Sequence, residues 1–261
     1  ELTYLAGRGT LLHVLVGEYI QGREIEINDL KKYFFEKHPS VSVPYMNEIL
    51  LKDSEWLVKG VLAFGQFVKD YNVKALAIEL MMKSEKYKVA SPIDFLGTID
   101  IDEEGPWGEP LKSGPNKGQP KIIKRKKTIL AIIDFKSSQN GFYDSHALQL
   151  LLYKDIVKEN YPNLNIEGIY NWSPKDFRTS PTYNFKDQSD HKLTALAEVV
   201  FEQGRIKHSF KDPTVTTYTE FVDMTTFDGE TIFKTIPLVE YLEQKHKKED
   251  DGTEGGDKDS K

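Results

Sequence analysis

The sequence contains no cysteine, which excludes disulfides, thiolate zinc sites and cysteine-ligated iron–sulfur clusters. It has no apolar run approaching 18 residues and no visible signal peptide, so we expect no membrane span and a soluble, cytoplasmic protein. Positive charge is not in excess either. The 35 Lys and Arg against 41 Asp and Glu leave a net charge of −6, which gives no global pull toward nucleic acid or anionic membrane. Any polyanion site must therefore be local. No G-x-x-x-x-G-K-[ST] occurs, so this chain carries no P-loop nucleotide motor.

What is present is a chain of 261 residues with 39% hydrophobic residues, enough for the core of one large α/β domain. The pattern predicts helices over about Gly9 to Ile20, Asn28 to Lys37 (capped by Asn28), Asp53 to Tyr71, Asp144 to Asn160 and His191 to His208. It predicts strands over about Lys74 to Met82, Lys88 to Asp102, Thr128 to Lys136 and Glu167 to Trp172. The domain is expected over residues 1–245. The polar, Gly-rich "HKKEDDGTEGGDKDSK" at 246–261 is expected to be a disordered charged tail.

Chemistry concentrates at strand ends. In "AIIDFKSS" an apolar run, read as a strand buried on both faces, ends in Asp134 and Lys136 on one face, because strand side chains repeat every two residues. In "SPIDFLGTIDIDEE" Asp100 follows Gly97 by three residues on a neighbouring strand, and Asp94 lies on the same face as Asp100. If these strands pair, Asp100 approaches Asp134. Two carboxylates about 4 Å apart repel by roughly 1 to 4 kcal/mol, and a divalent cation removes that penalty. Hard Mg²⁺ suits two acids, the Phe135 carbonyl and water, and Lys136 would face a metal-bound water or a phosphate. Taken alone, a D-x-K tripeptide is more simply a salt bridge at a strand end.

The surroundings shift that balance. Gln149 sits in an apolar helix with His146 and Tyr153 on its face, and an unpaired buried amide costs about 1 to 3 kcal/mol, so it needs a polar pocket or a tie to the sheet. His13 stacks with Gly9 and Gly17 on the first helix, as a core histidine or as a ligand. The segment "KIIKRKK", with Lys124, Arg125, Lys126 and Lys127, is either a solvated edge that discourages sheet pairing or a phosphate-tracking, nucleic-acid-binding element beside the site. We expect the latter.

Gly9-Thr10-x-x-His13, Gly97-x-x-Asp100, Asp134-x-Lys136 and Gln149-x-x-x-Tyr153, in that order, resemble the RecB-like, phage-exonuclease branch of the PD-(D/E)XK nuclease superfamily. The resemblance spans Gly9 to about Trp172. It implies a central mixed β-sheet flanked by helices, with Mg²⁺ or Mn²⁺ held by His13, Asp100, Asp134 and the Phe135 carbonyl. It implies Lys136 as the catalytic lysine, with Gln149 and Tyr153 positioning DNA and the site. The activity implied is phosphodiester hydrolysis on DNA by metal-activated water, as an exonuclease in recombination, repair or phage DNA processing in a bacterial host. A helicase or recombination protein would be its partner. The iron–sulfur form of this branch is excluded by the missing cysteines. Asp94 competes with Asp100 for the metal role, Asp100 being preferred for its Gly97 spacing; Glu18 and Glu79 are weaker candidates. The alternative from another class is a retired nuclease fold serving as a nucleic-acid-binding or assembly subunit.

Overall fold

The computed structural model describes residues 1–138, 141–207 and 220–221. Four helices come first: α1 (Leu2–Ile20), α2 (Leu30–Lys37), α3 (Met46–Lys52) and α4 (Ser54–Tyr71). Strands β1 (Lys74–Ser84), β2 (Val89–Gly105) and β3 (Ile123–Phe135) follow, then α5 (Asp144–Asn160), β4 (Gly168–Pro174), β5 (Tyr183–Asp187), α6 (Thr194–Lys207) and the two-residue β6 (Glu220–Phe221). The strands form one mixed sheet in the order β5-β4-β3-β2-β1-β6. Only β3 and β4 run parallel, across the α5 crossover; the other pairs are antiparallel. This is the expected α/β architecture of a central mixed sheet with flanking helices.

Each face of the sheet has its own core. On one face, Leu11, Leu12 and Leu15 of α1 and Phe64 and Phe67 of α4 pack with Phe95, Ile133, Phe135 and Trp172. On the other, Leu150 and Ile156 of α5 and Ala197 of α6 pack with Leu96, Ile132 and Ile169. Burying each large apolar side chain contributes roughly 1.5 to 3 kcal/mol. α4 earns its position through Leu57, Val61, Phe64 and Val68, a buried stripe at helical spacing. β3 is buried on both faces from Ile129 to Phe135 save Leu130, as its unbroken apolar run requires.

Several local expectations are corrected. α1 begins at Leu2, well before Gly9. The cap of α2 is Asp29, whose carboxylate accepts from the Lys32 N–H at 2.9 Å, one residue beyond Asn28. Helix α3 and strand β5 carry too few residues for periodicity to mark them. Gly97 serves the sheet: a Cβ there would stand 2.2 Å from the Lys74 carbonyl, beside a register shift between Ala75 and Ala77. No helix among the described residues is long and apolar enough to cross a membrane. The expected tail at 246–261 lies outside the described residues.

The largest correction concerns the β2–β3 ribbon. The register pairs Asp102 with Lys126, Glu103 with Arg125 and Glu104 with Lys124. Lys124 is 3.1 Å from Glu104, Lys126 is 3.0 Å from Asp102, and Lys127 is 2.9 Å from Glu167. Arg125 donates to the Trp107 carbonyl and stacks over its indole. The three lysines of the basic segment are thus ion-paired, two of them within their own hairpin, and Arg125 is held by Trp107. At about 3.3 Å per residue, Lys127 lies roughly 23 Å along β3 from Asp134. It does not flank the site.

Candidate metal and phosphoryl site

Antiparallel pairing sets the first pair of acids. Because Phe95 faces Ile133, Asp94 is level with Asp134, while Asp100 faces Thr128 near the other end of the apolar stretch. Asp100 accepts from Thr128 and Asn72, and the Thr128 hydroxyl holds its carboxyl below the usual range. It is about 20 Å along β2 from Asp94. The structure therefore brings together His13, Asp94, Asp134, Phe135, Lys136, Gln149 and Tyr153, and leaves out Asp100.

The Asp94 carboxylate accepts from the Phe135 N–H at 2.7 Å, fixing it against the end of β3. His13 reaches the same point from α1. Its Nε2 lies 3.2 Å from the Phe135 carbonyl, which can only accept, so Nε2 carries the proton. Its Nδ1 lies 3.7 Å from Glu79 and 3.8 Å from Asp94. Burial pushes this imidazole down, but the Asp94 charge, the Glu79 contact and the Asp134 charge outweigh burial and lift it to about 9. α1 comes this close because Gly9 packs against Ser137, where a Cβ would meet the hydroxyl at 3.2 Å.

Asp134 is fully buried. One oxygen accepts from Lys136 Nζ at 2.9 Å, the other from Asn171 Nδ2 at 2.7 Å, and Asn171 in turn accepts from Gln188 at 2.9 Å. Lys136 also donates to Gln149 at 2.9 Å, and Gln149 donates to the Tyr153 hydroxyl at 2.6 Å, which meets Ser91 at 3.2 Å. Burial first, helped by the neighbouring carboxylates, pushes the pKa of both aspartates above the ordinary range. Burial likewise pushes the Tyr153 phenol up to about 12, so it remains a hydroxyl at neutral pH.

These groups line a cavity of about 880 Å³. Neither a scan of protein-family models nor a search of curated proteins finds a match for the chain.

His13, Glu79 and Asp94 offer one imidazole nitrogen and two carboxylate oxygens within 4.8 Å of one another. Asp94 in this set and Asp134 beside it are buried carboxylates with raised pKa values, an arrangement a divalent cation relieves, and the oxygen-rich donors suit a hard ion. Glu79 brings its carboxylate here from a left-handed conformation, φ 47°, inside β1. Sequence reasoning ranked Asp94 and Glu79 too low and passed over Asn171 and Gln188. Asn171, polar within the wholly buried "GIYNWSP", carried the signal.

Proposed function

We propose that this chain is a metal-dependent deoxyribonuclease of the PD-(D/E)XK type that hydrolyses phosphodiester bonds. The observation that carries the reading is Lys136, held by Asp134 and Gln149 at 2.9 Å each, beside the His13, Glu79 and Asp94 donor set in one open cavity. Asp94 stands where the resemblance had assigned Asp100. His13, Glu79 and Asp94 would hold Mg²⁺ or Mn²⁺, with Asp134 beside them, whereas the Phe135 carbonyl is taken by His13 Nε2 on the other side of the ring. Such an ion, when bound, supplies Lewis-acid stabilisation and lowers the pKa of a coordinated water.

The remaining work falls to the chain's own side chains. Lys136 brings its amino group to the cavity, where negative charge would develop on a phosphoryl group, and two acceptors fix its direction beforehand. Asn171 and Gln188 fix the Asp134 carboxylate from behind. Tyr153 orients the Gln149 amide so that its oxygen faces Lys136. The resemblance extends the proposal to an exonuclease of recombination, repair or phage DNA processing that works beside a helicase or recombination protein.

The test is cleavage of linear duplex, single-stranded and covalently closed circular DNA in Mg²⁺, Mn²⁺ and EDTA. Metal-dependent degradation of linear DNA is expected, with the closed circle spared. Lys136→Ala should slow it by roughly 10²- to 10³-fold while Mn²⁺ binding by calorimetry persists. No cleavage of any DNA by the wild-type protein in either metal would overturn the reading.

A further inference from the structure

The proposed substrate is a polyanion, yet the lysines of the basic ribbon are ion-paired at the far end of β3 and carboxylates line the cavity. Charge alone gives such a site little hold on a strand. The turn into α5, beside Lys136, carries a cluster of three rings instead. Tyr143 is 65% exposed, the most open Phe, Tyr or Trp side chain among the described residues. His146 stands one turn into the helix, its ring centroid 5.3 Å from that of Tyr143 and 6.4 Å from that of Phe142, with edge-to-face geometry to both. The Tyr143 N–H donates to His146 Nδ1 at 3.2 Å, and the His146 N–H donates to the Tyr143 carbonyl at 3.0 Å. The imidazole is thus held against the tyrosine before any ligand arrives.

A surface tyrosine alone would carry nothing, since single exposed apolar side chains are ordinary. This one is joined to the site by the helix itself. His146 precedes Gln149 by three residues, about 4.5 Å along the axis at about 1.5 Å per residue. Gln149 in turn accepts from Lys136 at 2.9 Å. Successive nucleotides of a helical strand are about 3.4 Å apart, so a phosphate at Lys136 brings the next base within reach of these rings. Burial first, and the Lys136 charge next, hold the His146 imidazole below its usual pKa, which leaves it neutral at neutral pH. Asp144, next to Tyr143, is paired with Lys192 at 2.9 Å, so its charge is offset. Stacking needs no net positive charge, and every base has a π-face.

We infer that Tyr143, backed by His146, is a stacking platform for the base of the nucleotide next to the linkage at Lys136. Its ligand is an unpaired nucleobase, in a single strand or a frayed end, taken without choice of sequence. The inference rests on the proposed nuclease function but is tested separately from it. Binding of a fluorescein-labelled single-stranded DNA 12-mer, and of the same strand built from stable abasic nucleotides, is followed by anisotropy in EDTA at several salt concentrations. Cleavage of the full 12-mer in Mg²⁺ is measured in parallel. Tyr143→Ala should weaken binding of the full 12-mer roughly 5- to 150-fold and leave the abasic strand unaffected. The slope of log K against log salt should not move, because a stack releases no counterions. Tyr143→Phe keeps the ring and should bind as the wild type does.

Wild-type affinity in Tyr143→Ala, an equal loss on the abasic strand, or a Tyr143→Phe variant as weak as Tyr143→Ala would overturn the platform. If the wild type still cleaves, the nuclease reading stands without it. A base-dependent loss of binding in a protein that cleaves no DNA supports the platform and removes the nuclease reading. A wild-type protein that does not bind the 12-mer overturns the inference outright.

Discussion

Replacing Asn171 with leucine tests the support behind the site with little change of volume. Asn171 is fully buried, as is Asp134, and its amide bridges Asp134 at 2.7 Å and Gln188 at 2.9 Å. Leucine leaves one carboxylate oxygen and one amide N–H without partners in a dry interior. A hydrogen bond to a charged group is worth about 1.5 to 3 kcal/mol, and a stranded neutral group costs about 1 to 3 kcal/mol. The sum is roughly 2.5 to 6 kcal/mol, which for a chain of this size lowers Tm by about 5 to 24 °C. Urea denaturation and calorimetry of wild type and Asn171→Leu read it directly. In an Asp134→Ala background the same substitution should cost about 1.5 to 3 kcal/mol less, because the charged acceptor is gone. A cost below about 1 kcal/mol, or an equal cost in both backgrounds, would refute the claim that this amide holds Asp134.

Three further outcomes follow from the geometry. Asp94→Asn should abolish Mn²⁺ binding and cleavage whereas Asp100→Asn retains both; calorimetry and a nuclease assay showing the reverse would return the metal role to Asp100. Neutralising Lys124, Arg125, Lys126 and Lys127 together should leave the salt dependence of DNA binding unchanged, and each exposed pair lost costs at most about 1 kcal/mol in a thermal melt. Glu18 has a lowered folded pKa despite its burial, so its stabilisation is present above the unfolded value of about 4.3 and is lost as pH falls through the folded one. The Tm gap between wild type and Glu18→Gln should therefore shrink as pH falls below the unfolded value, and a gap constant with pH would count against it.

Much of this was legible in the sequence, and the error has a physical source. Helix α5 lies at its expected bounds because Asp144 to Asn160 shows an unbroken helical pattern between polar ends. Asp134, Lys136, Gln149 and Tyr153 converge as their spacing implied. Asp100 was misplaced because motif spacing took precedence over strand direction. In an antiparallel pair the end of β3 meets the beginning of β2, so the acid opposite Asp134 had to be the earlier one, Asp94. The same rule sends Lys124 to Lys127 to the far end, beside Asp102, Glu103 and Glu104. Asn171 stood out only as a lone amide in an apolar strand, which does not name its partner, and Gln188 left no trace.

Glu79 shows what the site asks of the backbone. It sits at φ 47° within β1, between Ile78 paired with Phe95 and Leu80 paired with Ile93. A non-glycine residue held there costs about 1 to 2 kcal/mol. Glycine would release that strain and take with it the carboxylate facing His13. Thermostability screening of this protein would thus be drawn toward position 79, and the variants it favoured there would be the ones stripped of a carboxylate proposed to hold a cation. On the proposed function, selection for activity and selection for heat resistance pull this residue in opposite directions.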